Sequence, residues 1–194
     1  MPEISKAVLV QPEQGSHPRL LTKLSSPVAT RYLVTRSQIT DRVFNADGAR
    51  VVLVRGPAGF GKTTVLQQLH QRYLQEDTPC AWINLDEADN DPPRFLTYFG
   101  LSLRNILHPE PGDAALFEQP ARKTGALAFT LMARIERHRE PIVLFFDEFE
   151  TLKNPAVLAL IAYGIEHLPA GSQVIIGSRT FPEIGLARMR ARGR

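Results

Sequence analysis

The sequence predicts a three-layer α/β domain built on a parallel sheet. Three observations carry that expectation. Four short apolar runs, 51–55, 80–85, 142–146 and 173–177, have the length and composition of strands buried on both faces. Segments with helical periodicity separate them, so consecutive strands join by right-handed crossovers and lie parallel. The first run leads directly into Gly56-Pro57-Ala58-Gly59-Phe60-Gly61-Lys62-Thr63, which fills every fixed position of the phosphate-binding pattern G-x-x-x-x-G-K-[ST].

Taken in order, residues 1–30 contain Pro2, Pro12, Pro18 and Pro27 without a lasting period and read as an extended or partly disordered lead-in. The folded domain is then 31–194. Thr35-Arg36-Ser37-Gln38 offers a capping-box start for a short helix that buries Ile39, Val43 and Phe44, and Asn45-Ala46-Asp47-Gly48 turns the chain into the first strand. Beyond the phosphate loop, Val65, Leu66, Leu69 and Tyr73 fall at helical spacing, so the loop opens a helix N-terminus. Cys80 and Trp82 of the second strand read as core. Asp91 before Pro92 is a cap with a first-turn proline, ahead of the stripe Phe95, Leu96, Phe99, Leu103 and Ile106, and Pro109-Glu110-Pro111-Gly112-Asp113 breaks that helix. The segment 121–139 turns Leu127, Leu131, Met132 and Ile135 inward and its arginines outward. Asn154 and Pro155 repeat the cap-plus-proline device before a helix burying Val157, Leu158, Ile161 and Ile165, which ends near Pro169-Ala170-Gly171.

At 194 residues, 43% of them hydrophobic, the chain has the size of one domain. Its single cysteine excludes an internal disulfide framework and fits a reducing cytoplasm. No stretch has the apolar length of a membrane span, and Met1-Pro2-Glu3-Ile4-Ser5-Lys6 lacks a signal-peptide pattern, so a cytoplasmic protein without membrane partners is expected. Arg188, Arg190, Arg192 and Arg194 alone turn a balance of −1 into the net +3 (+3 less four), which reads as a solvated chain end rather than a DNA-binding surface.

The chemistry gathers at strand ends. Glycines let a loop turn its N–H groups around a phosphate, so Gly56, Pro57, Ala58, Gly59, Phe60, Gly61, Lys62, Thr63 and Thr64 are the candidate phosphate binders. Lys62 supplies charge toward the β and γ phosphates, and Thr63 a hydroxyl for Mg²⁺. Phe145-Phe146-Asp147-Glu148 delivers adjacent carboxylates to the C-terminal edge of the sheet, where Asp147 is the second candidate Mg²⁺ ligand and Glu148 the candidate base that positions water. Arg179, after the fourth strand, is placed to read a γ-phosphate. The Asp86, Glu87, Asp89 and Asp91 run lacks the glycine and closing glutamate of a calcium loop, so Asp91 caps a helix and the other acids face solvent or a partner. His17, His70, His108, His138 and His167 show no metal-ligand spacing and read as surface or helix-end residues.

Beyond the loop, Thr22-Lys23-Leu24-Ser25-Ser26-Pro27, the stretch Ala81-Trp82-Ile83-Asn84-Leu85-Asp86-Glu87-Ala88-Asp89-Asn90-Asp91-Pro92-Pro93-Arg94-Phe95, and His167-Leu168-Pro169-Ala170-Gly171 leading to Ser178-Arg179 and Leu186-Ala187-Arg188 form a further pattern. Together they resemble the N-terminal nucleotide-binding domain of large ATP-binding LuxR-family transcriptional regulators, of the maltose-regulon-activator type. The resemblance covers about residues 20–192. It implies a P-loop NTPase of the ASCE/STAND type, an ATP-controlled switch with ATP or ADP and Mg²⁺ as cofactors and weak ATPase activity. It also implies self-association through the NTPase domain, and DNA contact only through domains not present here. In such a sheet the loop strand is flanked by a fifth strand, which this chain is expected to lack, leaving 51–55 as an edge. Adenine would lie against 34–36, which brings Arg36 into the cofactor set. Asp147-Glu148-Phe149 departs from the family's Asp-Asp-aromatic form toward hydrolysing ATPases. Two rivals stand beside this reading: a nucleotide-binding oligomerisation module without turnover, and a small-molecule or nucleotide kinase.

Overall fold

The computed structural model describes residues 22–27, 34–46, 48–107 and 120–185. The prolines 2, 12 and 18, Asp47, the break at 109–113, His17, His108 and the arginines from 188 onward lie outside them.

Nine principal elements follow one another among the described residues. They are α1 (Ser37–Phe44), β1 (Val51–Arg55), α2 (Lys62–Gln75), β2 (Cys80–Asn84), α3 (Pro92–Ser102), α4 (Pro120–Arg137), β3 (Val143–Asp147) and α5 (Pro155–His167), with β4 (Gln173–Ser178) closing the sheet as the ninth. The four strands are parallel in the order β1-β4-β3-β2. Registers Arg55↔Ser178 and Asn84↔Asp147 bring the strands' C-terminal ends to one edge.

Alternation along the strands separates two cores. Val143, Phe145, Ile175 and Trp82 pack with Val65, Leu66, Leu69 and Tyr73 of α2. Their neighbours Leu144, Phe146, Val174, Ile176, Ala81 and Ile83 pack with the apolar stripes of α3, α4 and α5. The sheet is therefore covered on both faces, and the alternation explains why β3 reads as unbroken apolar sequence. Among the described residues β1 pairs only with β4, and Val51 to Val54 are half-buried, as an edge strand is.

Capping follows the sequence at two helices and departs from it at one. Asp91 accepts the N–H of Arg94, and Asn154 accepts that of Ala156, each before a first-turn proline. At α1 the expected capping box is not formed: Arg36 is the N-cap, without a side-chain cap bond. Its N–H instead donates to Gln68 Oε1 at 3.0 Å, so a tertiary partner takes over the cap's work. The helix turns Thr40 inward and leaves Ile39 42% exposed, contrary to the expected face. His70 is half-buried rather than fully on the surface. Its ring packs edge-on against Trp82 and Phe145, and burial lowers its pKa. Cys80 is half-buried, and burial pushes its thiol up to about 12.

Two polar residues fasten elements distant in sequence. Arg50 donates to the carbonyls of Ile165 and Leu168 at 2.9 Å each, placing a cation at the C-terminus of α5. The Asn90 side chain accepts the N–H groups of Lys153 and Asn154 and donates to the carbonyl of Thr151, tying the turn after β2 to the start of α5. Asn90→Ala leaves those groups without their partner, and urea unfolding is expected to show a loss of about 2–3 kcal/mol. An unchanged midpoint would show that water replaces the side chain at no cost.

Candidate functional site

The phosphate loop joins β1 to α2. Gly59 and Gly61 adopt φ of 78° and 79°, a left-handed conformation that lets the chain fold its N–H groups inward. Gly61 is the N-cap of α2 and carries no side-chain cap. The N–H groups of Gly59, Gly61, Lys62, Thr63 and Thr64 find no acceptor among the described residues. A concavity of free donors at the N-terminus of a helix of this length fits an anion such as phosphate. Lys62, 7% exposed, curls over the loop, its Nζ 3.3 Å from the Pro57 carbonyl. Phe60 stands 69% exposed at the loop's tip.

Asp147 meets this loop from the end of β3. Its Oδ2 accepts the Thr63 hydroxyl at 2.6 Å, and its Oδ1 accepts the N–H of Glu148 at 2.9 Å. The carboxylate is 2% exposed and sits against the backbone of β4. A Cβ at Gly177 would lie 2.5 Å from Asp147 Oδ1 and 3.1 Å from Leu66 Cδ2, so only glycine fits there. That role escaped the sequence reading, although a glycine inside an apolar strand is a sign of close backbone approach. A hydroxyl and a carboxylate converging beside free N–H donors make a donor set suited to Mg²⁺ with a phosphate.

Glu148 follows at φ 56°, the left-handed region, and turns its side chain away from Asp147. Its Oε2 lies 3.1 Å from a terminal nitrogen of Arg179. Arg179 is also bound by Glu150, a residue sequence reasoning did not single out, with Nε to Oε1 at 2.8 Å and its own N–H to Oε2 at 3.0 Å. Burial pushes the Glu148 carboxyl above its usual range, helped by its hydrogen bond to Glu150 and the charges of Glu150 and Asp147, and opposed by Arg179. For Glu150, burial works upward too, yet hydrogen bonds from backbone N–H groups and the contacts with Glu148 and Arg179 bring it below the usual range.

The segment 34–36 lies over the loop's end. Gln68 donates to the Val34 carbonyl and accepts the Arg36 N–H, both at 3.0 Å, and the Arg36 guanidinium lies 3.4 Å from where a Cβ on Gly61 would stand.

The acidic run differs from expectation. Asp91 caps α3, but Asp89 is 1% exposed rather than solvated. Lys23 Nζ lies 2.6 Å from Asp89 Oδ2 and 2.8 Å from Asp86 Oδ2, while Arg94 binds the same two carboxylates at 3.3 Å each. Burial acts to raise the Asp86 pKa, but the hydrogen bond and charge of Lys23, with Arg94, pull it below the ordinary value. Among the described residues no group of histidines, cysteines and acids forms a metal cluster, and no helix is long and apolar enough to cross a membrane.

With this geometry in view, the sequence profile described as the AAA ATPase domain matches residues 35–176, from the strap over the loop to β4. The chain belongs to that family. It is also similar to the HTH-type transcriptional regulator MalT of Klebsiella pneumoniae, 27% identical over 173 residues, covering 88% of this chain and 19% of that protein. The MalT of Cronobacter sakazakii is 29% identical over 176 residues, with the same coverage of 88% and 19%. The chain thus spans about a fifth of the length of these curated relatives. Among solved structures, the Aeropyrum pernix ORC1 protein in complex with DNA aligns with a TM-score of 0.47 at 17% identity, over 75% of this chain and 40% of that one.

Gly177→Ala forces a methyl group into the space of the Asp147 carboxylate. The expected result is a loss of about 1–3 kcal/mol in chemical unfolding. Wild-type stability would mean that the carboxylate moves aside freely.

Proposed function

We propose that this chain is the Mg²⁺-dependent ATP-binding and ATP-hydrolysing switch domain of a LuxR-type transcriptional regulator, a STAND-type P-loop NTPase working in the cytoplasm. The observation that carries the reading is the 2.6 Å contact of Thr63 Oγ1 with Asp147 Oδ2 beside the free N–H donors of the loop. The Walker A residues Gly56 to Thr64 cradle phosphates through their backbone, and Lys62 adds charge. Thr63 and Asp147 hold Mg²⁺. Bound ATP–Mg²⁺ supplies an activated terminal phosphoryl group. Glu148 orients the water, Arg179 reads the γ-phosphate, and Arg36 contributes at the nucleotide's other side.

The likeness to MalT, named an HTH-type transcriptional regulator, supports the regulatory part of the proposal. In that setting ATP controls self-association of NTPase domains, and the regulator's remaining parts bind DNA. The half-buried edge strand β1 is compatible with a partner segment or second copy lying beside it.

Nucleotide affinity with and without Mg²⁺ tests the central claim. Lys62→Ala is expected to weaken ATP binding roughly 10- to 100-fold, the scale of one charge-assisted contact. Unchanged affinity would sink the assignment. Phosphate release separates turnover from mere binding: Glu148→Gln is expected to slow it about 100-fold, as loss of a general base does. Equal rates would favour the oligomerisation module that holds ATP without hydrolysing it.

A further inference from the structure

Arg179, at the end of β4, is held by two carboxylates, and they are not equivalent. Glu150 takes both ends of the residue, its Oε2 accepting the Arg179 backbone N–H at 3.0 Å and its Oε1 pairing with Nε at 2.8 Å. Glu148 takes only a terminal nitrogen, at 3.1 Å. The side chain of Glu150 is 13% exposed, against 39% for Glu148, so the inner carboxylate is the more shielded ion-pair partner, while the guanidinium's hydrogen bond goes to the outer one. A tight turn presents both acids together: the Thr151 N–H and hydroxyl both donate to the Glu148 carbonyl, at 3.1 Å and 2.9 Å. Arg179 is 50% exposed and follows Ser178, whose carbonyl accepts the N–H of Gly56 at the start of the phosphate loop at 3.3 Å.

We propose that Glu150 is a positioning residue that restrains Arg179, holding its guanidinium on the protein's own carboxylates so that a triphosphate gains this arginine only in competition with them. The inference rests on the nucleotide reading above. Competition of this kind gives the site a graded response. A diphosphate, lacking the γ-phosphate, leaves the restraint in place, whereas a triphosphate must displace Arg179 from carboxylates that already neutralise it. The free energy of that contact in the nucleotide-free protein is subtracted from the affinity for ATP and not from that for ADP.

Glu150→Gln is the informative substitution, because its amide oxygen still accepts the Arg179 N–H while the charge is removed. ATP and ADP dissociation constants are measured for the wild type, Glu150→Gln, Arg179→Gln and the double variant. The expected result is ATP binding about 3- to 10-fold tighter in Glu150→Gln with ADP within about twofold, and no gain in the Arg179→Gln background. In the nucleotide-free protein the Arg179 Nε–H resonance is expected to shift and exchange faster with solvent in Glu150→Gln. Equal gains for both nucleotides would reveal a general charge effect and overturn the restraint. So would no gain, a gain that persists without Arg179, or an unmoved Nε–H signal. A wild-type chain that binds neither nucleotide would overturn the nucleotide reading itself, and this inference with it.

Discussion

The placement of one buried carboxylate governs the arrangement around it. Asp147 is 2% exposed, and a charge removed from water must be hydrogen-bonded to persist there. It finds the hydroxyl of Thr63 on the first turn of α2 and the N–H of Glu148 at the start of the next turn. Room for it exists only because β4 has no side chain at Gly177. Three elements that meet at the sheet's C-terminal edge are therefore fixed to one another by a single side chain. The loop's glycines supply the freedom to curl, and Asp147 supplies the point against which the loop is registered.

The same edge is crowded with charge, and its balance is local. Asp86 and Asp89 are matched by Lys23 and Arg94, whose cations also lie over the Tyr98 ring at 5.1 Å and 4.8 Å. Glu148 and Glu150 share one cation, Arg179. Asp89 at 1% exposure would be untenable alone, since removing one partner of a buried pair leaves an uncompensated charge. Asn84, whose amide donates to the carbonyls of Thr22 and Ser25, holds the Lys23 segment in reach.

Sequence and structure agree where the signal is local and disagree where the partner is distant. The phosphate loop is a contiguous pattern whose glycines, lysine and threonine are defined by spacing alone, and the strands and the helices from α2 onward follow from runs and stripes of apolar residues. Asp147 was legible because a buried strand ends in it. Lys23 was not, because a lysine among serines and prolines shows nothing of carboxylates more than sixty positions away. Glu150 reads as one more exposed acid until the turn after β3 brings it to Arg179. Gln68 displaced the expected cap of α1 through a contact across 32 positions, and no local pattern encodes that competition.

Two neighbouring carboxylates are given opposite surroundings by one backbone conformation. A left-handed φ in a residue with a side chain is unfavourable by about 1 kcal/mol or more, so it persists at Glu148 only where several contacts impose it. Here the residue's N–H is spent on Asp147 Oδ1 and its carbonyl accepts both the N–H and the hydroxyl of Thr151. With the main chain fixed on both sides, Asp147 remains turned into the protein and Glu148 is turned out to Arg179. The first keeps a fixed position suited to holding a cation. The second, with a carboxyl raised by burial and by its acidic neighbours, lies 3.1 Å from a terminal nitrogen of Arg179. The different surroundings of the adjacent acids follow from the backbone that separates them, since the two side chains differ by a single methylene.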